Sequence, residues 1–226
     1  MKNVGKVCIP IVETTVEKDL IAIKEANRWA DLIELRADYL RRGKLAPLVE
    51  NRRKPIIVTN RRKEEGGRCG DEERKRLSVL EKAIDLGADY IDVELATERS
   101  ILQGLIRNKR GTQVILSFHD FRRTPSPKEL QRLFDRMVRS GADVIKIVSF
   151  ARSWEDNLTI LSLIPFAKAR KQEIVAFCMG EKGKLSRVFS PFLGASWTYA
   201  SLHKNRVSAP GQLTARELRD IWEKMK

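Results

Sequence analysis

The feature that most constrains the fold is a short phrase that recurs along the chain. Trp29-Ala30-Asp31-Leu32-Ile33-Glu34, Gly87-Ala88-Asp89-Tyr90-Ile91-Asp92 and Gly141-Ala142-Asp143-Val144-Ile145-Lys146 share it closely, and Gly194-Ala195-Ser196-Trp197-Thr198-Tyr199 follows it loosely. Each copy comes after a stretch with helical periodicity and opens a strand-like run, and a glycine leads three of them as a helix C-cap does. Equal spacing from an equal start aims Glu34, Asp92, Lys146 and Tyr199 in equivalent directions. Lys146 sits inside the apolar run Val144–Val148, where an ammonium costs free energy unless it is solvated or paired. It is therefore a functional candidate, and the repeat indicates where it points.

Between these phrases, β-like runs alternate with amphipathic helical stretches. Lys6–Val12, Leu32–Asp38, Pro55–Asn60, Tyr90–Ala96, Gln113–Asp120, Val144–Phe150, Glu173–Gly180 and Ser196–Leu202 read as strands. Asp71–Leu86, Pro127–Ser140, Ser153–Ala169 and Thr214–Met225 read as helices, with Ser126 before Pro127 as an N-cap and Thr214 with Glu217 as a capping box. Eight strands, each leading into a helical segment, point to an α/β fold, a single (β/α)8 TIM barrel occupying residues 1–226 as one catalytic domain. An open doubly wound sheet is the alternative, but its glycine-rich nucleotide fingerprint is missing. Gly66-Gly67-Arg68-Cys69-Gly70 lacks the lysine and hydroxyl of a phosphate loop and reads as a mobile loop. In a barrel, alternate strands share an interior layer, so the four phrase residues should approach one another inside it.

No apolar stretch reaches membrane-span length, and Met1–Lys6 lacks the apolar core of a signal peptide. Three cysteines without CxxC spacing indicate neither a disulfide framework nor a metal site, and Cys8 and Cys178 fall inside apolar strands as buried thiols. A reducing cytoplasm fits. The formal net charge of +14 fits a nucleic-acid binder, a field that attracts a small anionic substrate, or the charge networks of a heat-tolerant surface. The basic residues are spread along helices and mixed with acids, which argues against the first.

Polar residues gather at the C-terminal strand ends, the chemical face of a barrel. Glu34, Arg36 and Asp38 share one face of strand two by their two-residue spacing; for Glu34 and Arg36 taken alone, the alternative to a functional role is an interior ion-pair cluster that braces the barrel. Arg61 follows strand three, Asp92 and Glu94 lie on strand four, and His119 and Asp120 end strand five. His119 stands where a general acid/base would act, whereas His203 reads as solvated or capping. A lysine and a histidine with no metal-ligand cluster suggest imine chemistry. Glu34 and Asp92 would favour the charged lysine, unless Arg36, Arg61 and Arg187 engage those carboxylates.

These residues resemble the type I 3-dehydroquinate dehydratase family. Asp92-Val93-Glu94-Leu95, an 18-residue gap, then Val114-Ile115-Leu116-Ser117-Phe118-His119-Asp120 is similar to its signature. Glu34-Leu35-Arg36-Ala37-Asp38, Thr59-Asn60-Arg61 with Glu65-Gly66-Gly67, Met179-Gly180 with Gly183-Lys184-Leu185-Ser186-Arg187, and Ser208-Ala209-Pro210-Gly211-Gln212 match its other motifs in order. Phe118 departs from a position where the family often carries a polar residue or tyrosine. The N-terminus leaves no room for a hairpin plugging the barrel floor.

The resemblance implies dehydration of 3-dehydroquinate to 3-dehydroshikimate, a shikimate-pathway step of aromatic amino-acid biosynthesis, without metal or cofactor. Lys146 would form the imine, His119 would move the protons, and Glu65 would orient His119 and favour its cation. Arg187, helped by Ser208 and Gln212, would hold the substrate carboxylate. Glu34, Arg36 and Arg61 would meet the ring hydroxyls, with Met179 and Ala209 shaping the apolar side. The Glu65–Gly70 and Ser208–Gln212 loops would close over substrate. Relatives are often homodimers. Another lysine-imine barrel enzyme, such as a class I aldolase, shares the strand-six lysine but not the Ser-Phe-His-Asp or Ser-Ala-Pro-Gly-Gln motifs.

Overall fold

Eight parallel strands wrap into a nearly closed barrel in the computed structural model, which describes residues 5–41, 44–206 and 208–225. The strands are β1 Val7–Ile11, β2 Leu32–Arg36, β3 Ile56–Thr59, β4 Tyr90–Glu94, β5 Gln113–His119, β6 Val144–Phe150, β7 Glu173–Met179 and β8 Thr198–Tyr199. Their order runs from β7 down to β1 and on to β8, so each strand up to β7 lies beside its sequence neighbours. Between β7 and the approach to β8, Ser196 N donates to Ile174 O at 2.8 Å. The residues on which the signal-peptide and hairpin readings rest begin at 1–4, outside the described residues.

The helices are α1 Val16–Ala26, α2 Ala46–Glu50, α3 Glu73–Asp85, α4 Arg99–Arg107, α5 Pro127–Arg139, α6 Glu155–Leu161, α7 Leu163–Lys168, α8 Lys184–Leu193 and α9 Ala215–Lys224. Both anticipated helix starts are present as reciprocal capping boxes, Ser126 with Glu129 and Thr214 with Glu217. Gly87, Gly141 and Gly194, which lead three of the phrase copies, all have positive φ and end their helices in the left-handed conformation. The helix expected over Ser153–Ala169 is instead two helices. Pro165 has no N–H to donate to the Leu161 carbonyl, so α6 stops at Leu161 and α7 starts at Leu163, with Ser162 alone between them. Strand two also ends earlier than expected, at Arg36, and Asp38 lies in a 3-10 turn over Ala37–Tyr39.

Two apolar layers result. The main core lies between strands and helices, and includes Ile9, Ile33, Val58, Ile91, Leu116 and Ile145. A smaller cluster fills the barrel itself, with Cys8, Leu32, Ile57, Ile115, Val144 and Trp197 low in the interior and Val148, Phe177 and Met179 toward the C-terminal strand ends. Phe134, on the outside, is fully buried against Phe166 at 5.4 Å. No helix among the described residues is long and apolar enough to cross a membrane.

Candidate active site

Lys146 points into the barrel, at the centre of the layer that the repeat anticipates. Its Nζ donates to Asp92 Oδ2 at 2.8 Å, to Tyr199 Oη at 3.2 Å and to Glu34 Oε1 at 3.4 Å. All four phrase residues therefore meet, because β2, β4, β6 and β8 present equivalent positions at one height. The lysine is 4 % exposed, and the partners offset the desolvation that would otherwise make it prohibitive.

A buried ionic chain runs outward from this layer. Arg61 sits 2.8 Å from Asp92 and 3.2 Å from Glu94, and its Nη1 donates to Ser117 Oγ at 2.7 Å. Glu94 continues to Arg76 on α3, also at 2.7 Å. Burial alone would raise the Asp92 carboxyl. Arg61 and Lys146, with hydrogen bonds from Lys146 and Ser117, outweigh it and hold Asp92 well below the usual carboxylate range. Burial likewise opposes the Arg61 charge, but Asp92 and Glu94 overcome it and raise its pKa.

Of the three arginines considered as partners for the lysine's carboxylates, only Arg61 takes that role. Arg36 is turned to Asp38, with Nε and Nη2 bonds of 2.8 and 2.7 Å. Asp38 also accepts from the backbone N–H of Arg61 and of Arg68, so it pins the start and end of the Arg61–Arg68 segment against β2. Arg187 is 1 % exposed, yet no carboxylate among the described residues pairs with it. Its Nη2 donates weakly to Pro210 O at 3.4 Å, its Nε has no partner, and its guanidinium lies 4.3 Å over the Phe177 ring. Burial pushes this guanidinium down to about 10. A desolvated cation facing a cleft without a counter-ion is complementary to a carboxylate.

His119 ends β5, with Nδ1 2.9 Å from Glu65 Oε2. The positioning is as anticipated, but the charge is not. Burial and the cations Arg61 and Lys146 push the imidazole well below its ordinary value, while burial raises Glu65 to about 7. A histidine in this setting is neutral at pH 7. With Nδ1–H held toward Glu65, Nε2 carries the lone pair, which is the form a base requires.

Glu65 reaches His119 because Gly66 turns the chain at φ +76° directly beneath Phe121. Gly67 then passes so close to the Arg61 carbonyl that a Cβ would lie 1.9 Å from it. On the opposite rim, Gly180 N donates to Pro210 O at 3.1 Å and fixes the Ser208–Gln212 segment over the end of β7. Ser208 and Gln212 satisfy each other, through Ser208 N to Oε1 at 2.9 Å and Nε2 to Ser208 Oγ at 3.2 Å.

These groups line one cleft at the C-terminal strand ends. Every residue anticipated from the sequence borders it: Glu34, Arg36, Arg61, Glu65, His119, Lys146, Met179, Arg187, Ser208, Ala209 and Gln212. So do Tyr199, which the repeat placed beside Lys146, and Phe121, Val148 and Phe177, for which the sequence suggested no place in the cleft lining. Val148 and Phe177 are two residues from Lys146 and Met179 and share their strand faces, so period two could have found them. Phe121 stacks near His119, with ring centroids 6.2 Å apart. His203 lies outside, 3.3 Å from Glu25 at the surface. A buried lysine amine, a histidine with its carboxylate partner, and an unmatched guanidinium thus share one small cleft.

Residues 7–226 match the family model for type I 3-dehydroquinase. The 3-dehydroquinate dehydratase of Methanococcus vannielii is 37 % identical over 217 residues, covering 95 % of this chain and 97 % of its own. That of Pyrococcus abyssi is 39 % identical over 211 residues, covering 93 % and 94 %. Among solved structures, 3-dehydroquinate dehydratase from Geobacillus kaustophilus superposes with a TM-score of 0.90 at 25 % identity, covering 98 % of this chain and 91 % of that one. The type I enzyme from Clostridium difficile, solved with covalently modified comenic acid, gives 0.85 at 25 % identity, covering 98 % and 92 %.

Proposed function

The chain belongs to the type I 3-dehydroquinase family, and we propose that it dehydrates 3-dehydroquinate to 3-dehydroshikimate through an imine on Lys146. The observation that carries this reading is a buried lysine amine sharing one cleft with the His119–Glu65 pair and the uncompensated Arg187. The covalently modified ligand in the Clostridium difficile relative supports a covalent route.

The substrate carboxylate binds Arg187, filling the place left by the missing counter-ion. Ser208 and Gln212 turn from each other toward it, and Glu34, Arg36 and Arg61 face the ring hydroxyls. Lys146 passes one proton to the neutral His119 and becomes a free amine. Nζ then attacks the ketone carbon, the carbonyl π pair moves to oxygen, and one Nζ proton passes to that oxygen to give the carbinolamine, which loses water as His119 returns the first proton to the departing hydroxyl. The resulting iminium draws electrons from the adjacent carbon and acidifies its C2–H bond. Neutral His119 removes that proton and delivers it to the departing C1 hydroxyl, which leaves as water by syn elimination. Hydrolysis of the product imine restores Lys146. Closure of the Glu65–Gly70 and Ser208–Gln212 loops keeps bulk water from the iminium until that step.

This reading puts the reaction in the shikimate pathway and includes a cytoplasmic homodimer. Turnover assays test the assignment directly. Formation of 3-dehydroshikimate by the intact chain and none by Lys146→Ala is the expected result. Cleavage of aldol donors without dehydration of 3-dehydroquinate would point to the aldolase reading instead.

A further inference from the structure

The geometry points to Tyr199 as a further catalytic residue, one that relays the proton from nitrogen to oxygen while the imine forms and back when it is hydrolysed. This rests on the reading of Lys146 as the nucleophile. Tyr199 lies on the two-residue strand β8, opposite Cys8 in the ladder with β1, and the dehydration steps above do not use it.

Three acceptors surround Lys146 Nζ: Asp92 Oδ2 at 2.8 Å, Tyr199 Oη at 3.2 Å and Glu34 Oε1 at 3.4 Å. They match the three N–H donors of an ammonium. A free amine has only two N–H donors and one lone pair, so the set must change when the lysine becomes a nucleophile. Asp92, bridged to Arg61 at 2.8 Å, is fixed as an anion and only accepts. The phenol differs, because one oxygen both accepts and donates. Burial first, then the nearby Glu34, keeps the phenolic proton in place well above the usual range. The Tyr199 ring also presents its face to Nζ, with the nitrogen 4.3 Å from the centroid, so the hydroxyl is held beside the reacting atom by its own ring.

Attack on the ketone leaves a positively charged nitrogen two bonds from an alkoxide oxygen. Direct transfer between them would need a strained four-membered ring. Through Tyr199 the ring has six members. One N–H bond breaks as its proton moves to Oη, and the phenol's own proton moves to the alkoxide, forming the O–H bond of the carbinolamine. The phenol ends as it began, and no charge or co-reactant is left over. Hydrolysis of the product imine runs the same exchange in reverse. His119, which carries the first lysine proton until water leaves, is thus not needed for this exchange and is neutral again for the C2 proton and the departing C1 hydroxyl.

Tyr199→Phe keeps the ring and removes only the hydroxyl. Rapid quenching with borohydride reads the rate at which the lysine adduct forms, and C2-deuterated 3-dehydroquinate reads how far C–H cleavage limits turnover. Adduct formation is expected to slow by about a hundredfold, as for loss of one general acid–base group. The isotope effect on turnover should fall toward unity, because imine formation then limits the rate. An unchanged rate of adduct formation overturns the relay. So does a slower rate with an undiminished isotope effect, which would mark a general disturbance of the site. If Tyr199→Phe melts early, adduct formation by the unsubstituted protein in heavy water decides: slowing is expected for protons in flight, and its absence overturns the relay. A protein with native Tyr199 that forms no Lys146 adduct would instead refute the imine itself.

Discussion

Arg187 and His119 show how single side chains are tuned by what surrounds them. An arginine that is almost fully buried and meets no carboxylate is held in place by packing against Phe177 and by the Pro210 carbonyl. Its function must come from something that enters the cleft. Arg187→Ala should raise KM about ten- to a hundredfold with a smaller change in kcat, the scale of one charge-assisted hydrogen bond pair at about 1.5–3 kcal/mol. Steady-state kinetics check this, and an unchanged KM would move the carboxylate site. The His119–Glu65 pair gives a pH signature. Glu65 takes up a proton near pH 7, whereas His119, pushed down by burial, Arg61 and Lys146, does so below the ordinary histidine value of about 6.5. Neutral His119 is the base, so its loss begins only below that value. We expect kcat/KM to fall in two steps on the acid side, and Glu65→Gln to remove the step near pH 7 while keeping the lower one. An identical profile in the variant would show that Glu65 does not titrate in catalysis.

At the scale of elements, the barrel's alternation was legible and its interruptions were not. The repeated phrase placed Glu34, Asp92, Lys146 and Tyr199 together because identical spacing on alternate strands is a geometric statement, independent of partners. Arg76 was missed, although it stands four and seven positions before Leu80 and Ala83 on the buried face of α3 and anchors Glu94 at 2.7 Å. Helical periodicity marks that position as inward, but a charged residue there is unintelligible until its carboxylate partner from another element is known. The pairing of Arg36 with Asp38 was similarly hidden, since a turn rather than a strand brings Asp38 round. The rim loops depend on glycines in a way that can be tested. Gly211 has φ +73°, and a Cβ there would lie 2.1 Å from the Gly180 carbonyl, so Gly211→Ala must displace the Ser208–Gln212 segment. The expected outcome is a raised KM with little change in melting temperature. A lowered melting temperature with normal KM would make the loop a structural turn and not a substrate cover.

For the whole molecule, the cost of burying charge is offset in the active layer but not everywhere. Asp92 is held below its unfolded value, so it contributes stability above about pH 4 that is lost as pH falls through its lower folded value. Asp19 on α1 is the reverse case. Burial raises it to about 7, so its contribution to stability is fully present below about pH 4 and is lost as pH rises toward 7. Asp19→Asn is therefore expected to raise the melting temperature more at pH 8 than at pH 4. Calorimetry at the two values checks this, and an equal or larger gain at pH 4 would contradict it. Fold, lysine and cleft were read from one chain because strand alternation, helix caps and family motifs all pointed to the same barrel. Loop closure and the protonation balance around the lysine were not readable, because both depend on distances between elements far apart in sequence. The central claim is that Lys146 is the nucleophile. It is tested most directly by borohydride reduction in the presence of 3-dehydroquinate, followed by peptide mass analysis. The account predicts a substrate- or product-sized adduct on Lys146, and an unmodified Lys146 in protein that still turns over the substrate would contradict it.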